Sequence, residues 1–304
     1  MLKDVRKENH RSLEKALLKS VEPKTSQRGT KYYAVVVSDR DCELSGNAFN
    51  EPAAVEKLAG KVVEFEVKGK DGFLNFEGFR EVADDPRDYV RCAPLTAEQG
   101  MKYIYQMIDQ IQNPTLRTVT ERLIRSNEDA YAFVAGGKSM HHDVIGGLMY
   151  HSVCMLSACV QMCRVYKSLN RDLMIAGPIL HDVAKVRELS TDDYASTVYT
   201  VPGNLFGHLY MGAAMVDETC RELGVDENEE IIMMLKHMIL SHHGEQAMGA
   251  VRTPAIAEAF MLSMIDNADA RMWMFDHTAE GLEPGETCET FHKGLNTYVY
   301  KPQL

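Results

Sequence analysis

The chain has 304 residues, of which 45% are hydrophobic and 25% are charged, and its formal net charge is −11. This composition is typical of a folded globular protein that is long enough for one large domain or two ordinary ones. No apolar stretch in the sequence approaches the roughly 20 residues that a transmembrane helix needs. The first residues, MLKDVRKENHRSLEKALLK, carry too many charges for a secretory signal. We therefore expect a cytoplasmic protein with no membrane segment.

The charge is unevenly distributed along the chain. Residues 1–90 contain 16 Lys and Arg against 17 Asp and Glu, whereas residues 91–304 contain 17 against 27. An acidic region repels polyanions unless cations neutralise it, so this balance alone excludes little. The seven cysteines form no CxxC pair. We interpret them as small hydrophobic side chains in a reducing compartment.

Residues 11–90 have the pattern of a small β-rich domain. β-branched, aromatic and alternating runs occupy residues 31–39, 41–49, 61–67 and 73–82. Between the second and third of these runs, EPAAVEKLA (51–59) predicts a short helix. With one further strand ahead of these runs in the β-rich region 11–90, the order of three strands, a short helix and two strands predicts a barrel of the OB type. A small β domain of another kind is the alternative.

A polar segment, DDPRD at 84–88, predicts a linker. We therefore expect one domain over 1–90 and a second over 91–304. The second has helical periodicity throughout and is expected to be all-α.

Two features locate helices in this second part. Apolar residues recur at helical spacing in 101–126, and the chain is apolar almost all round from 147 to 168, which predicts a buried helix. A further helix is predicted over 252–275, with Thr253 as its N-cap and Pro254 as its first residue.

Most of the eleven histidines lie in the helical part, in apolar or glycine-flanked contexts. The blocks that contain them, or a similarly placed aspartate, are HHDVIGGLMYHS, ILHDVAK, GNLFGHLYMG, LKHMILSHHGE and IDNADARM. A lone histidine on an apolar face is usually a core residue with a hydrogen-bond partner. A whole set of histidines together with Asp182 and Asp266 is harder to explain in that way, because a buried carboxylate needs a partner. Imidazole and carboxylate groups satisfy one another around a divalent cation.

The order of His151, His181, Asp182 and Asp266 resembles the HD-domain metal-dependent phosphohydrolases. The five blocks together resemble the YhaM-type 3′→5′ exoribonucleases, in which an OB-type domain precedes the HD domain. The helical part carries this resemblance in sequence, and the N-terminal part carries it in architecture only. The resemblance implies a multidomain fold, with a small OB-like β-barrel followed by an all-α HD domain.

The resemblance also implies a ligand set for two divalent metal ions. The first ion would be held by His151, His181, Asp182 and Asp266, and the second by Asp182, His208, His242 and His243. Ligands that offer nitrogen and oxygen but no thiolate favour Mn²⁺, with iron as the alternative. Two such ions can clamp a phosphodiester and lower the pKa of a bridging water. Asp182 would be the shared, catalytic ligand.

Other residues near these blocks have less specific patterns. Lys185 follows Asp182 by three residues, so it either stabilises charge on phosphate oxygens or is a solvated surface lysine. His141 and His142 precede a glycine pair and either contact the substrate, cap the next helix or lie on the surface. Asp269, one turn after Asp266, either orients a ligand or is an exposed charge.

Three further residues complete this part of the sequence. We expect a structural role for His237. Two residues depart from the family pattern: Pro178 is expected to kink its helix, and Ala184 replaces a usual glycine, so its methyl group would crowd the backbone or the substrate.

The N-terminal part offers side chains that suit single-stranded nucleic acid, which OB domains bind by base stacking and a basic groove. Lys31 and Tyr33 are the residues that we assign to substrate binding. The other candidates are Tyr32, Phe49, Phe65, Phe73, Phe76, Lys24 and Arg28. Most of these aromatic residues would otherwise belong to the barrel core.

Together these features predict a 3′→5′ exoribonuclease that hydrolyses single-stranded RNA or DNA with two metal ions. A small- or cyclic-nucleotide phosphohydrolase is the alternative, although HHGEQAMGAVRTP lacks the Gly-Tyr-Pro motif of cyclic di-GMP enzymes. A di-iron oxygenase and a non-catalytic nucleic-acid-binding factor are further alternatives. The choice between RNA and DNA stays open, as does assembly into a homo-oligomer.

Overall fold

The structure is a computed structural model that describes residues 2–26, 29–40, 42–49, 53–137, 142–192 and 196–304. The chain divides into two compact units, Met1–Cys92 with Asp192–Ser196, and Ala93–Thr191 with Thr197–Leu304. Among the described residues, no helix has the length and apolar character needed to cross a membrane.

The described residues of the first unit form a closed ring of strands. The strands are β1 His10–Thr25, β2 Lys31–Ser38, β3 Glu43–Phe49, β4 Val62–Lys70 and β5 Phe73–Glu81. They pair in the order β1–β2–β3–β5–β4, and β4 pairs back with β1. Neighbours are antiparallel except β3 and β5, which pair in parallel at Asn47 and Asn75. A 3₁₀ helix, Ala53–Leu58, connects β3 to β4, so the predicted strands and short helix occur in the predicted order.

The ring closes around an apolar interior. Along β4, Val63, Phe65 and Val67 are fully buried, whereas Glu64 and Glu66 between them are partly exposed. This alternation follows from the two-residue period of a strand. Burial of each such side chain contributes about 1.5–3 kcal/mol, so the alternating pattern fixes which face of the sheet points inward.

The second unit is mainly helical. Its helices are α1 Ala97–Ile108, α2 Pro114–Arg125, α3 Glu128–Phe133, α4 Gly147–Val165, α5 Leu173–Leu180, α6 Lys185–Glu188, α7 Val201–Leu223, α8 Glu230–Ser241 and α9 Ala257–Glu280. The buried helix α4 packs against α5 and α9, and α8 packs against α5, α7 and α9. These helices enclose the main core and position the candidate site.

The expectation of a purely helical second part is wrong after α9, where isolated β-bridges join Thr287 to Tyr300 and His292 to Thr297, and also between α6 and α7. Strands β6, Leu189–Thr191, and β7, Thr197–Tyr199, form an antiparallel hairpin between α6 and α7. The pairing strands are rich in threonine and contain valine and tyrosine, which favour extended backbone.

Two predicted helix boundaries also differ from the structure. The periodic stretch 101–126 is two helices, because Asn113 caps α2 by accepting a hydrogen bond from Leu116 N–H. Thr253 and Pro254 do not begin α9, which starts at Ala257. The Ala255 N–H instead donates to His237 Nε2 at 2.8 Å, which holds the preceding residues outside the helix and supports the structural role expected for His237.

Candidate metal centre

The structure brings all seven predicted ligands into one cluster. His151 lies on α4, His181 and Asp182 follow α5, His208 lies on α7, His242 and His243 follow α8, and Asp266 lies on α9. Their nitrogen and oxygen atoms fall into overlapping groups in which all atoms lie within 4.8 Å of one another. These groups are His151–His181–Asp266, His181–Asp182–His242 and His208–His242–His243. Clusters of this composition are suited to a divalent cation.

Asp182 lies at the centre of the cluster and is only 2% exposed. Its Oδ1 atom lies 3.3 Å from His208 Nε2 and 3.5 Å from His242 Nε2. No hydrogen bond satisfies this Oδ1 among the described residues. A buried carboxylate oxygen without a hydrogen bond is costly unless a cation compensates it. The residues present therefore fit a metal ion at this position.

Backbone carbonyl groups fix the orientation of two of the histidine rings. His181 Nδ1 lies 2.9 Å from Pro178 O, and His242 Nδ1 lies 2.8 Å from Ile239 O. A carbonyl oxygen only accepts hydrogen bonds, so each Nδ1 carries the proton and donates it. Each Nε2 then presents a lone pair to the centre of the cluster, as a neutral metal ligand does. Pro178 thus contributes through its carbonyl group.

Two pairs of histidine nitrogens approach one another closely. His151 Nε2 lies 3.2 Å from His181 Nε2, and His208 Nε2 lies 3.3 Å from His243 Nε2. The pairs lie on either side of Asp182, whose two oxygens face His181 and His208 respectively. Asp182 therefore lies between the two close histidine pairs.

Asp269 is part of the cluster and is not an isolated exposed charge. Its Oδ2 lies 2.7 Å from His151 Nδ1 and 2.7 Å from His142 Nε2. Burial opposes protonation of His151, but its bonds with Asp266 and Asp269 outweigh burial and raise its pKa to about 9. Burial lowers the pKa of His142 to about 4 despite its bond with Asp269. The contact geometry indicates that Asp269 orients His151.

Of the two histidines before α4, the structure describes His142 but not His141. His142 is 1% exposed and lies behind His151, so its position favours support of Asp269 over direct contact with a substrate. His141 lies outside the described residues.

Glu188 is a functional candidate that the sequence reasoning missed. Its Oε1 accepts a hydrogen bond from His208 N–H at 3.0 Å and lies 3.0 Å from His208 Nδ1. Helix α7 is interrupted just before this point, because Gly207 has φ 71° and ψ 156°. A carboxylate is favourable where a helix begins with unpaired N–H groups. Glu188 is six residues after Asp182, a spacing with no standard signature, so only the fold reveals the contact.

Lys185 is buried, at 7% exposed, and is not a solvated surface residue. Its Nζ lies 2.6 Å from Asp182 Oδ2 and also donates to Gly136 O. Burial would raise the pKa of Asp182, but the charge of Lys185, together with His181 and His208, holds it well below its usual range. Asp182 in turn raises the pKa of Lys185 despite burial. The pair therefore stays ionised.

A cavity of about 690 Å³ opens at the cluster. Its lining includes the ligand candidates Asp182, His208, His242, His243 and Asp266, and also Lys185, Tyr199, Met248, Asn267, Arg271 and Lys293. Ala184 is fully buried and does not line the cavity. Its methyl group therefore does not narrow the space that a substrate would occupy.

Comparison with known proteins decides the family. Residues 148–271 match the HD domain family. The 3′-5′ exoribonuclease YhaM of Halalkalibacterium halodurans is 33% identical over 301 residues, which cover 95% of this chain and 92% of the relative. The YhaM of Bacillus subtilis is 32% identical, covering 94% of this chain and 93% of the relative. This chain belongs to the YhaM 3′-5′ exoribonuclease family.

A third YhaM relative, from Geobacillus sp., is 32% identical and covers 94% of this chain and 90% of its own. No solved structure matches the chain. Because these matches cover 94–95% of the chain, they extend over both compact units.

In this YhaM family member the first unit carries a smaller cavity, of about 380 Å³. It is lined by Pro23, Lys24, Thr25, Lys31, Tyr32, Tyr33 and Ala48. Tyr32 stacks on Phe49 with ring centroids 5.3 Å apart. The structure therefore brings Lys31 and Tyr33 together with three of the other candidates.

The remaining strand-binding candidates lie elsewhere. Phe65 and Phe76 are fully buried in the core and cannot stack on a base, and Phe73 is 64% exposed. Arg28 lies outside the described residues.

Proposed function

We propose that this protein is a metal-dependent 3′→5′ exoribonuclease that acts on single-stranded RNA. The observation that carries this proposal is the buried Asp182 Oδ1, which has no hydrogen bond among the described residues and lies at the centre of six further histidine and aspartate ligands. The chain is also similar, over more than nine tenths of its length, to proteins named 3′-5′ exoribonuclease YhaM.

The proposed ligand sets follow the two sides of the cluster. His151, His181, Asp182 and Asp266 would hold one ion, and Asp182, His208, His242 and His243 a second. Nitrogen and oxygen ligands without thiolate favour Mn²⁺, with iron as the alternative. When bound, the ions supply positive charge that polarises the phosphodiester and makes water more acidic.

The chain's own groups prepare the site for a phosphodiester. Lys185 keeps Asp182 ionised, and its ammonium group has three N–H donors, of which Asp182 and Gly136 take two. Because Lys185 lines the cavity, the third donor is available to a non-bridging phosphate oxygen, where it stabilises developing charge. Asp269 fixes the orientation of the His151 ring through its Nδ1 atom, and Glu188 does the same for the His208 ring.

We further propose that residues 1–90 form an OB-type barrel that binds the strand, and that 91–304 form the HD domain. The strand order, the parallel contact between β3 and β5, and the 3₁₀ helix between β3 and β4 all support the OB assignment. Lys31 and Tyr33 line a cavity there, beside the stacked Tyr32 and Phe49. A cytoplasmic location, self-association and substrate contact by His141 remain predictions from the sequence.

A small-nucleotide phosphohydrolase is the second candidate. The cavity volume of about 690 Å³ is within the range of small-molecule sites. A mononucleotide or cyclic nucleotide would therefore fit without any use of the first unit.

One incubation series tests both candidates. The purified protein with Mn²⁺ receives 5′-labelled single-stranded RNA, matching DNA and bis-p-nitrophenyl phosphate. Shortening of RNA from the 3′ end supports the exoribonuclease, and the DNA arm ranks the two nucleic acids. Cleavage of the small diester alone favours the second candidate. No cleavage, with two irons bound, would contradict both and favour oxygenase chemistry.

The Asp182→Ala variant serves as the catalytic control in this series. We expect it to lose metal, measured by mass spectrometry, and turnover, while circular dichroism still shows a helical fold. Asp217→Asn is the matched control, because Asp217 pairs with Lys236 at 2.7 Å outside the cluster. Full turnover by Asp182→Ala would overturn the two-metal mechanism.

A further inference from the structure

One face of α9 leads from the ligand cluster to a second polar part of the cavity. Asp266, Asn267 and Arg271 all line the cavity. Asn267 and Arg271 lie four residues apart, so they share a helix face. The backbone of Arg271 lies about 7.5 Å further along the helix axis than that of Asp266. The helix thus places a cation in the same cavity but at a distance from the ligand cluster.

The segment after α9 contributes a second cation to the cavity. Leu295 is 6% exposed and is buried in a small apolar cluster with Met274 of α9. The His292 N–H donates to Thr297 O at 2.9 Å, which closes the turn that carries Lys293. Because this turn is anchored on α9, Lys293 is held in the cavity wall.

Neither cation is neutralised by another residue that the structure describes. Within the part of the chain that the structure describes, the Arg271 and Lys293 side chains form no ion pair or hydrogen bond. By contrast, Arg187 lies 2.9 Å from Glu218 on the outer surface. Lys185, the other cation that lines the cavity, is paired with Asp182. Two unpaired cations in one cavity, within the acidic part of the chain, indicate an anionic ligand.

We propose that Arg271 and Lys293 bind a backbone phosphate of the RNA next to the scissile one, an assignment that rests on the proposed function. The ligand cluster and Lys185 are occupied with the phosphate that reacts. Arginine offers a planar fork of donors and lysine a mobile point charge, and both suit a phosphate group.

This second phosphate site gives the enzyme a way to select its substrate. An oligonucleotide presents a neighbouring phosphate to Arg271 and Lys293, whereas a diester with a single phosphate does not. The two residues therefore favour a strand over a small nucleotide, and they act mainly on binding.

The test compares an Arg271→Gln/Lys293→Gln double variant with the wild-type protein. KM and kcat are measured with Mn²⁺ on a short single-stranded RNA and on bis-p-nitrophenyl phosphate. Binding of the same RNA is measured by fluorescence anisotropy over a range of salt concentrations. Arg164→Gln/Lys167→Gln is the matched control, because these residues do not line the cavity.

We expect KM for the RNA to rise about tenfold, and KM for the small diester to rise much less. The slope of log affinity against log salt should fall by about 0.7 for each phosphate that the variant no longer neutralises. Equal effects on both substrates, or no effect beyond that of the control, would overturn the assignment.

The same measurements separate this assignment from the proposed function. If the wild-type protein does not shorten RNA, the proposed function fails, and the anisotropy data still decide the phosphate site. If the double variant kept the RNA affinity of the wild type and its salt dependence, the phosphate site would be overturned. A decrease in both the RNA affinity and the salt slope would support the phosphate site.

Discussion

Glu188 shows how a single carboxylate positions a metal ligand from another part of the chain. It is 5% exposed, and its Oε1 contacts both the backbone N–H and the Nδ1 atom of His208. An imidazole bound at Nδ1 in this way presents Nε2 to the cluster, where it faces Asp182 and His243. Mutation of a group that orients a metal ligand from behind typically costs about 10- to 100-fold in metal affinity or activity.

We predict that Glu188→Gln weakens metal binding about 10- to 100-fold at the side of the cluster that contains His208. The amide keeps the shape of the carboxylate but loses its charge, so it polarises the imidazole less. Isothermal titration with Mn²⁺ would measure the change. Glu218→Gln, which removes a surface partner of Arg187, is the control and should bind Mn²⁺ as the wild type does. Equal affinity in both variants would show that Glu188 does not tune the site.

At the scale of the element, α7 is bent at Gly207 so that His208 can face the cluster. The φ of 71° with ψ of 156° is a conformation that is essentially restricted to glycine. A side chain at Gly207 would meet no neighbouring atom. The requirement for glycine therefore comes from the backbone conformation and not from packing.

We predict that Gly207→Ala destabilises the metal-free protein by about 1–3 kcal/mol and weakens Mn²⁺ binding. The new Cβ favours a continuous helix, which would rotate His208 away from Glu188. Urea unfolding in EDTA and titration with Mn²⁺ would measure the two effects. Gly281→Ala is the control, because Gly281 has a negative φ and open space around it. A stable Gly207→Ala protein with normal metal affinity would contradict this account.

Helices and strands whose pattern is local could be predicted from the sequence. The alternation at Val63, Phe65 and Val67 and the apolar helix after Gly146 reflect local periods, which are visible in a sequence. The predicted start of α9 is wrong because a tertiary hydrogen bond from Ala255 to His237 overrides the local Thr-Pro signal. Contacts such as that of Glu188 with His208 depend on how helices pack, and sequence spacing does not encode this.

The junction between α8 and α9 also predicts a pH dependence of stability. Burial lowers the pKa of His237, whose Nε2 accepts a hydrogen bond from Ala255 N–H. Its pKa in the unfolded chain is about 6.5, so the unfolded state takes up a proton more readily. The stability that His237 contributes is therefore present above about pH 6.5 and is lost as the pH falls towards its folded pKa.

We expect His237→Gln to remove this pH-dependent contribution to stability, because the amide oxygen of Gln accepts the hydrogen bond from Ala255 N–H without titrating. Urea unfolding of the wild type and His237→Gln in EDTA, at pH 8 and at lower pH, would measure it. The wild type should lose more stability than the variant on acidification. The same loss in both proteins would mean that His237 does not titrate on unfolding.

At the scale of the whole molecule, the acidic helical unit has to bind a polyanion. Residues 91–304 carry 17 basic against 27 acidic side chains, whereas the N-terminal part is nearly balanced. Bound cations at the cluster would offset this charge locally. The remaining affinity for a long strand must then come from residues outside the cluster, and the cavity beside Lys31 and Tyr32 offers charge and a stacked aromatic pair for it.

We predict that a Lys31→Gln/Tyr32→Ala variant loses affinity for long single-stranded RNA but not for a very short one. Loss of one stacked base costs about 1–3 kcal/mol, which corresponds to roughly 5- to 150-fold in affinity. A very short RNA would occupy only the helical unit, so its affinity should stay close to that of the wild type. Anisotropy titrations against RNAs of increasing length would show the affinities of the wild type and of the variant diverging as the RNA becomes longer.

Lys57→Gln, at an exposed lysine of the same unit outside this cavity, controls for charge alone. If the variant bound long RNA as tightly as the wild type, the strand-binding surface of the first unit would have to lie elsewhere, with the exposed Phe73 as the next residue to test.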